Sequence, residues 1–237
     1  MVTGSVDESG GGVGIVSGSG IDLRSVLERV DEERRFHEVI GVGGGAVKGH
    51  DGVFLRGACG STPVVLQCGR IHLYEGHGPD VVASTVDALG EMGVRRIIFT
   101  NAVGGLAPDL APGALVAATQ VVPWRFTPHT FPEALIPELR VPGCDRAGVM
   151  YWMHGPCYET RAEIEALRRL GGLTVGMSLP AELARCGALG IPCGVVSCVT
   201  NDCTRHDAVL THEEVVETAS RASTRLARLL REYLAGD

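Results

Sequence analysis

The sequence predicts a single α/β domain, and three observations carry that expectation. Short apolar runs of strand type recur at residues 13–17, 63–68, 95–99, 114–122, 147–154 and 193–199. Amphipathic patterns of helical period intervene or follow, at 80–92, 160–170 and 212–234. Glycine-bearing or polar clusters sit where strand-type runs end or helix-type patterns begin, the junctions at which open α/β sheets bind ligands. The 237 residues suffice for one large domain with a sizeable core, and no linker divides them.

Composition narrows the function classes. Hydrophobic residues make up 45% and charged residues 21%, a globular balance rather than a disordered one. The net charge of −7 argues against nucleic acid or an anionic membrane as partner, since both need a basic face. No apolar run approaches the roughly 18 residues that span a bilayer. The first residues show no basic segment followed by an apolar stretch, so the cytoplasm is the expected compartment. Eight cysteines are scattered without a CxxC pair, and Cys68, Cys193 and Cys198 lie in apolar runs. Free, mostly buried thiols are expected. No metal-ligand spacing is present.

Taken in order, residues 1–12 are polar and glycine-rich and read as a disordered tail. The first strand, 13–17, runs into Gly18-Ser19-Gly20 and a helix-like stretch at 21–30. This is either a tight turn or a cradle of N–H groups and a hydroxyl for an anion. The glycine-rich loop 41–49 lacks the Walker pattern and reads as a surface loop or as a flap carrying His50. After strand 63–68, alternation puts Arg70, His72 and Tyr74 on one face of an extended segment that also carries Glu75. Arginine beside histidine suits a tetrahedral oxyanion, because guanidinium donates a planar fork of hydrogen bonds. Strand 95–99 is followed by a small-residue turn, 100–106, whose Gly104-Gly105 permits close backbone approach to a ligand.

Residues 123–146 are rich in proline, without periodicity, and carry Trp124, Phe126, His129 and Phe131, so a binding or interface loop is expected. Thr160-Arg161-Ala162-Glu163 fits a capping box. Ser178 lies just before a helix beginning near Pro180 and suits an N-cap, an anion contact, or both. In the last helix Val215, Ala219, Ala222, Leu226, Leu229 and Tyr233 form a core stripe.

From residue 13 onward these segments resemble the purine nucleoside phosphorylases of the trimeric type. The motifs are Gly18-Ser19-Gly20, Gly49-His50, Gly69-Arg70-Ile71-His72-Leu73-Tyr74-Glu75-Gly76, Thr100-Asn101-Ala102-Val103-Gly104-Gly105-Leu106, Gly155-Pro156-Cys157-Tyr158-Glu159-Thr160, Val175-Gly176-Met177-Ser178, Thr200-Asn201 and His212-Glu213-Glu214-Val215. Each is weak alone, but eight in one order are hard to obtain by chance. The resemblance implies the nucleoside phosphorylase fold, a twisted mixed β-sheet flanked by helices, assembled as a homotrimer with active sites near subunit interfaces. It implies reversible phosphorolysis of a purine nucleoside to free base and pentose 1-phosphate, with inorganic phosphate as co-substrate and no metal or organic cofactor. By matching position, Ser19, His50, Arg70, His72, the backbone near Ala102 and Ser178 would hold phosphate. Tyr74, Met177 and His212 would hold the sugar, and Tyr158, Glu159 and Asn201 the base. Asn201, Glu159 and His72 would be the catalytic residues.

The chain also departs from that pattern. It is shorter than most relatives, largely within 123–146. Tyr158 stands where phenylalanine is usual and Cys157 where serine is common. Pro180-Ala181-Glu182 shifts the usual order of proline and glutamate by one residue. Methylthioadenosine phosphorylases carry aspartates near the Asn201 position, and Asp202 lies next to it here. Glu159 facing N1–H still implies a preference for 6-oxopurines. The competing readings are a phosphorylase for a 5′-modified nucleoside such as methylthioinosine, a non-catalytic nucleoside-binding paralogue, and a hydrolase using water.

Overall fold

The protein is described by a computed structural model over residues 11–42, 51–205 and 212–236, the side chain of His212 excepted. Its strands are β1 (Gly12–Val16), β2 (Arg29–Arg35), β3 (Val53–Cys59), β4 (Thr62–Cys68), β5 (Val94–Gly105), β6 (Leu115–Pro123), β7 (Arg146–Trp152), β8 (Gly172–Gly176) and β9 (Cys193–Asp202). Its helices are α1 (Phe36–Val39), α2 (Pro79–Glu91), α3 (Arg161–Arg169), α4 (Pro180–Leu189) and α5 (His212–Ala235).

The strands form one mixed sheet in the order β2-β3-β4-β1-β5-β8-β7-β6-β9, and β5 also pairs with β9. One half is therefore an open sheet and the other closes into a ring, with β5 common to both. β1 is parallel to β4 and β5, and β5 to β9, so their carboxyl ends emerge together. β5 is antiparallel to β8, and β6 to β9.

Helices cover both faces. On one, α2 and α4 bury Val86, Leu89, Leu183 and Cys186. On the other, α5 buries Leu226 and Leu230 in the cluster that also holds Val13, Ile15 and Leu66. α3 closes a smaller cluster through Ile164 and Leu167. The α5 stripe behaves as its spacing predicts: Val215, Ala219, Ala222, Leu226 and Leu229 are buried, and Tyr233 packs at their margin. α3 starts as predicted, with Thr160 Oγ1 accepting from Glu163 N (3.3 Å) and Glu163 Oε2 accepting from Thr160 N (2.7 Å).

Three local expectations are corrected. The stretch 21–30 is not a helix. Its apolar residues Ile21, Leu23, Val26 and Leu27 are buried, but one 3₁₀ turn (Arg24–Val26) suffices to bury them before β2 begins. Every residue of β2 is exposed; backbone pairing to β3 and charged side chains suit an edge strand, which leaves no periodic signal to read. Residues 100–106 are not a turn either. β5 continues to Gly105, and a register shift between Val103 and Gly104 lets it follow β9 while Gly104 and Gly105 pair with β8. Gly12 belongs to β1, not to the tail. The rest of that tail, residues 1–10, lies outside the described residues, as does the glycine-rich loop 43–50 with His50.

Removing the Thr160 hydroxyl deletes one helix cap. Thr160→Ala is expected to lower stability by about 1 kcal/mol, measured as the shift of a urea denaturation midpoint.

Candidate active site

Six segments converge at the carboxyl ends of the strands. Ser19 leaves β1; Arg70, His72 and Tyr74 follow β4; Ala102 lies on β5; Tyr158 and Glu159 precede α3. Met177 and Ser178 follow β8, and Asn201 lies on β9. All ten line one cavity of about 90 Å³. An outer cleft of about 890 Å³ adjoins it and shares Tyr158, Glu159, Thr200 and Asn201 with it. The structure thus brings together every predicted site residue except two. His50 lies outside the described residues, and His212 begins α5 without a described side chain.

The polar floor is built around Arg70. Its guanidinium is buried (1% exposed) and donates Nε–H to Glu182 Oε1 at 2.7 Å. Nη1 donates to Thr100 O and to Ser178 Oγ, each at 3.2 Å. Glu182 is equally buried, and its Oε2 accepts from Leu179 N at 3.0 Å. Leu179, not Ser178, is therefore the N-cap of α4, held at φ 98°. That backbone region is unfavourable for leucine by about 1–3 kcal/mol, and the buried carboxylate holds it. The correction matters chemically, because the Ser178 hydroxyl is not occupied in capping. It accepts from Arg70 Nη1 and lies 3.5 Å from the Asn101 amide, leaving its own proton for a ligand.

His72 is fixed by Glu75, whose Oε1 lies 2.7 Å from the His72 backbone N and 3.2 Å from Nδ1. An ionised carboxylate only accepts, so Nδ1 carries a proton and Nε2 is the nitrogen left for other contacts. Tyr74 stacks on the His72 ring, 4.7 Å between centroids. Burial first, and Glu75 second, push the Tyr74 phenol up, so it stays a neutral donor. The Gly18-Ser19-Gly20 loop lies against β5: a Cβ on Gly18 would come 2.6 Å from Asn101 Cα, so the loop can sit there only with glycine.

The other end of the cavity differs. Burial raises the Glu159 carboxyl above the ordinary glutamate range, and Glu163 adds to the shift. Tyr158 is 42% exposed beside it. Asn201 Oδ1 lies 3.1 Å from the Thr200 hydroxyl, and Nδ2 donates to Cys203 Sγ at 3.2 Å. The Asp202 carboxylate is tied to Thr204, accepting from its N (2.8 Å) and Oγ1 (2.6 Å), and lines the outer cleft.

Sequence reasoning missed several participants. Asn101 and Thr200 lie within the family motifs without an expected role of their own, yet both line the cavity. Val215, read as core alone, also lines it. Glu182 shows in the sequence only as a shifted motif. The Gly104-Gly105 expectation is partly redirected: a Cβ on Gly104 would come 2.3 Å from Cys203 Sγ, so the close approach there is to protein. All eight cysteines are free thiols, five of them buried, as expected. Among the described residues no cluster of three His, Cys, Asp or Glu could hold a metal, and no helix is long and apolar enough to cross a membrane.

The mixed sheet, closed on itself in one half, thus holds a cavity with a buried arginine, histidine and serine and with an amide and a carboxylate beside the outer cleft. A family model described as the phosphorylase superfamily matches residues 13–235. The purine nucleoside phosphorylase of Mycobacterium tuberculosis is 35% identical over 79% of this chain and 75% of its own. The probable 6-oxopurine nucleoside phosphorylase of Thermococcus kodakarensis is 31% identical over 92% of this chain and 90% of its own. The crystal structure of Schistosoma mansoni purine nucleoside phosphorylase in complex with inosine superposes with a TM-score of 0.78 at 25% identity, covering 94% of this chain and 89% of that one. The chain belongs to the purine nucleoside phosphorylases, pentosyltransferases of this superfamily.

Deleting one partner of a buried ion pair strands the other. Glu182→Ala is expected to lower stability by about 3–5 kcal/mol, read by chemical denaturation. A loss below about 1 kcal/mol would mean that the pair behaves as a surface contact.

Proposed function

We propose that this protein catalyses reversible phosphorolysis of 6-oxopurine ribo- and 2′-deoxyribonucleosides, giving the free base and the pentose 1-phosphate. The observation that carries the reading is one cavity with an Arg70–Ser178–His72–Ser19 floor and a Glu159–Asn201 pair at its other end. Phosphate sits on that floor, with Ser19, Arg70, His72, Ser178 and the Ala102 backbone as donors. His50 joins them by its position in the sequence. Tyr74 and Met177 flank the sugar, and His212, assigned from the sequence alone, reaches the 5′-hydroxyl. The base lies on Tyr158 and extends toward the outer cleft.

Cleavage of the glycosidic bond builds positive charge on the sugar and negative charge on the leaving base. The phosphate anion beneath the ring stabilises the first and captures C1′. Asn201 stabilises the second by giving an N–H to N7, and ionised Glu159 accepts from N1–H and the 2-amino group of guanine. Contacts that strengthen as the bond breaks lower the barrier. Adenine has a bare N1 acceptor and would meet Glu159 with repulsion. Asp202 does not alter this reading, because its carboxylate is engaged by Thr204. Nucleoside and phosphate alone balance the reaction, so no cofactor is proposed. The free thiols support a reducing, cytoplasmic setting. We place the chain in a homotrimer, supported by the Phe126 ring, 87% exposed on the proline-rich segment, which a neighbouring copy would cover.

Purified protein is expected to release hypoxanthine from inosine only when phosphate is present; release without phosphate would make it a hydrolase. Asn201→Ala is expected to lower kcat about 10²–10³-fold with little change in thermal midpoint, and near-wild-type kinetics would remove it from the base site. Glu159 must be ionised to accept N1–H, and its carboxyl is raised by burial. The kcat/KM for inosine is therefore expected to fall on the acid side at a pH above the ordinary glutamate range. That limb should vanish from the profile of Glu159→Gln.

A further inference from the structure

We infer that Cys203 is a positioning residue of the base site: its sulfur holds the Asn201 carboxamide so that one N–H is presented to the imidazole side of a bound purine. The inference rests on the phosphorylase reading above and adds a residue that no motif of the family resemblance supplies.

Asn201 is the group asked to donate as electrons enter the leaving base, so its plane must be set before the substrate arrives. A donor that has to turn during the reaction forfeits much of its effect. Two contacts fix the carboxamide. Oδ1 faces the Thr200 hydroxyl at 3.1 Å, and Nδ2 donates to Cys203 Sγ at 3.2 Å. The hydroxyl shares its proton with Val103 O, 3.2 Å away on β5. An amide nitrogen carries two N–H groups and its oxygen two lone pairs. One N–H goes to sulfur, and the other is left for the ligand.

The sulfur is itself held in place. Cys203 N donates to Gly105 O at 2.9 Å, which ties the residue to β5 just beyond the last β9 pairing. A Cβ on Gly104 would come 2.3 Å from Sγ and 3.4 Å from Asn201 Nδ2, so glycine at 104 is what leaves room for the thiol behind the amide. Cys203 lines the outer cleft but not the inner cavity, as a supporting group should. Burial first, and Glu159 second, push the thiol up to about 12. It therefore stays neutral and does not oppose the negative charge that develops on the base.

The test compares inosine with 7-methylguanosine, both assayed with inorganic phosphate. In the second nucleoside N7 is methylated and the ring is already cationic, so its departure needs no donor at N7. Cys203→Val removes the acceptor at similar volume, and Cys203→Ala removes it if valine does not fold. Either is expected to lower the ratio of inosine to 7-methylguanosine kcat/KM about tenfold, with phosphate KM unchanged. Cys203→Ser, which keeps an acceptor, should hold the ratio within about threefold of wild type. An unchanged ratio in the valine and alanine variants, or equal loss on both nucleosides, overturns the inference while leaving the phosphorylase reading intact. Wild-type protein inert toward both nucleosides overturns the phosphorylase reading and this inference with it.

Discussion

The buried Arg70–Glu182 ion pair is the interaction on which the site depends. Two charges each 1% exposed would be costly to place in the interior. The cost is offset because every oxygen and most nitrogens find short partners. Glu182 takes Nε–H from Arg70 and N–H from Leu179. Arg70 reaches Thr100 O and Ser178 Oγ. A single pair thus ties the segment after β4 to β5 and to the start of α4. Leu179 holds a left-handed backbone conformation because of it, and Ser178 faces the cavity rather than the helix end.

β5 supplies the second constraint. It belongs to both the open sheet and the closed ring, pairing with β1 and β9 in parallel and with β8 antiparallel. Its side chains consequently meet groups from both halves. Thr100 Oγ1 donates to Val16 O at 2.9 Å and accepts from Gly18 N at 3.3 Å, which sets the loop carrying Ser19. Asn101 Oδ1 accepts from Ser197 on β9 at 2.8 Å. The shift after Val103 then turns the strand toward β8, where Gly104 makes room for Cys203.

The two ends of the cavity differ in burial. Arg70, His72 and Ser178 are buried among strand ends and held by one another or by carboxylates. Tyr158 and Glu159 stand on a loop, with Tyr158 well exposed and the outer cleft alongside. The cavity is thus closed by buried polar groups on one side and open toward the outer cleft on the other.

The sequence by itself determined the fold class, the strands with apolar runs and the amphipathic helices, and its resemblance to a known family pointed to ten of the residues that line the cavity. The elements are local features: a period of two or 3.6, a cap, or a cluster at the end of a run. Thr160 and Glu163 cap a helix three residues apart. The extended alternation expected for Arg70, His72 and Tyr74 does not hold, because Leu73–Glu75 forms a 3₁₀ turn, yet all three line the cavity. What only the tertiary structure decided depends on neighbours far along the chain. β2 has no periodic pattern because an edge strand is held by backbone pairing alone. β5 reads as a strand followed by a turn because its glycines are justified only by β8 and Cys203. Glu182 carries no local mark of its partnership with Arg70, 112 residues earlier. Ser178 looked like a cap, and became a cavity-lining hydroxyl only because a buried carboxylate from the next turn took over the capping N–H. Local patterns state what a residue can do; burial and the distant partner decide which of those possibilities it adopts.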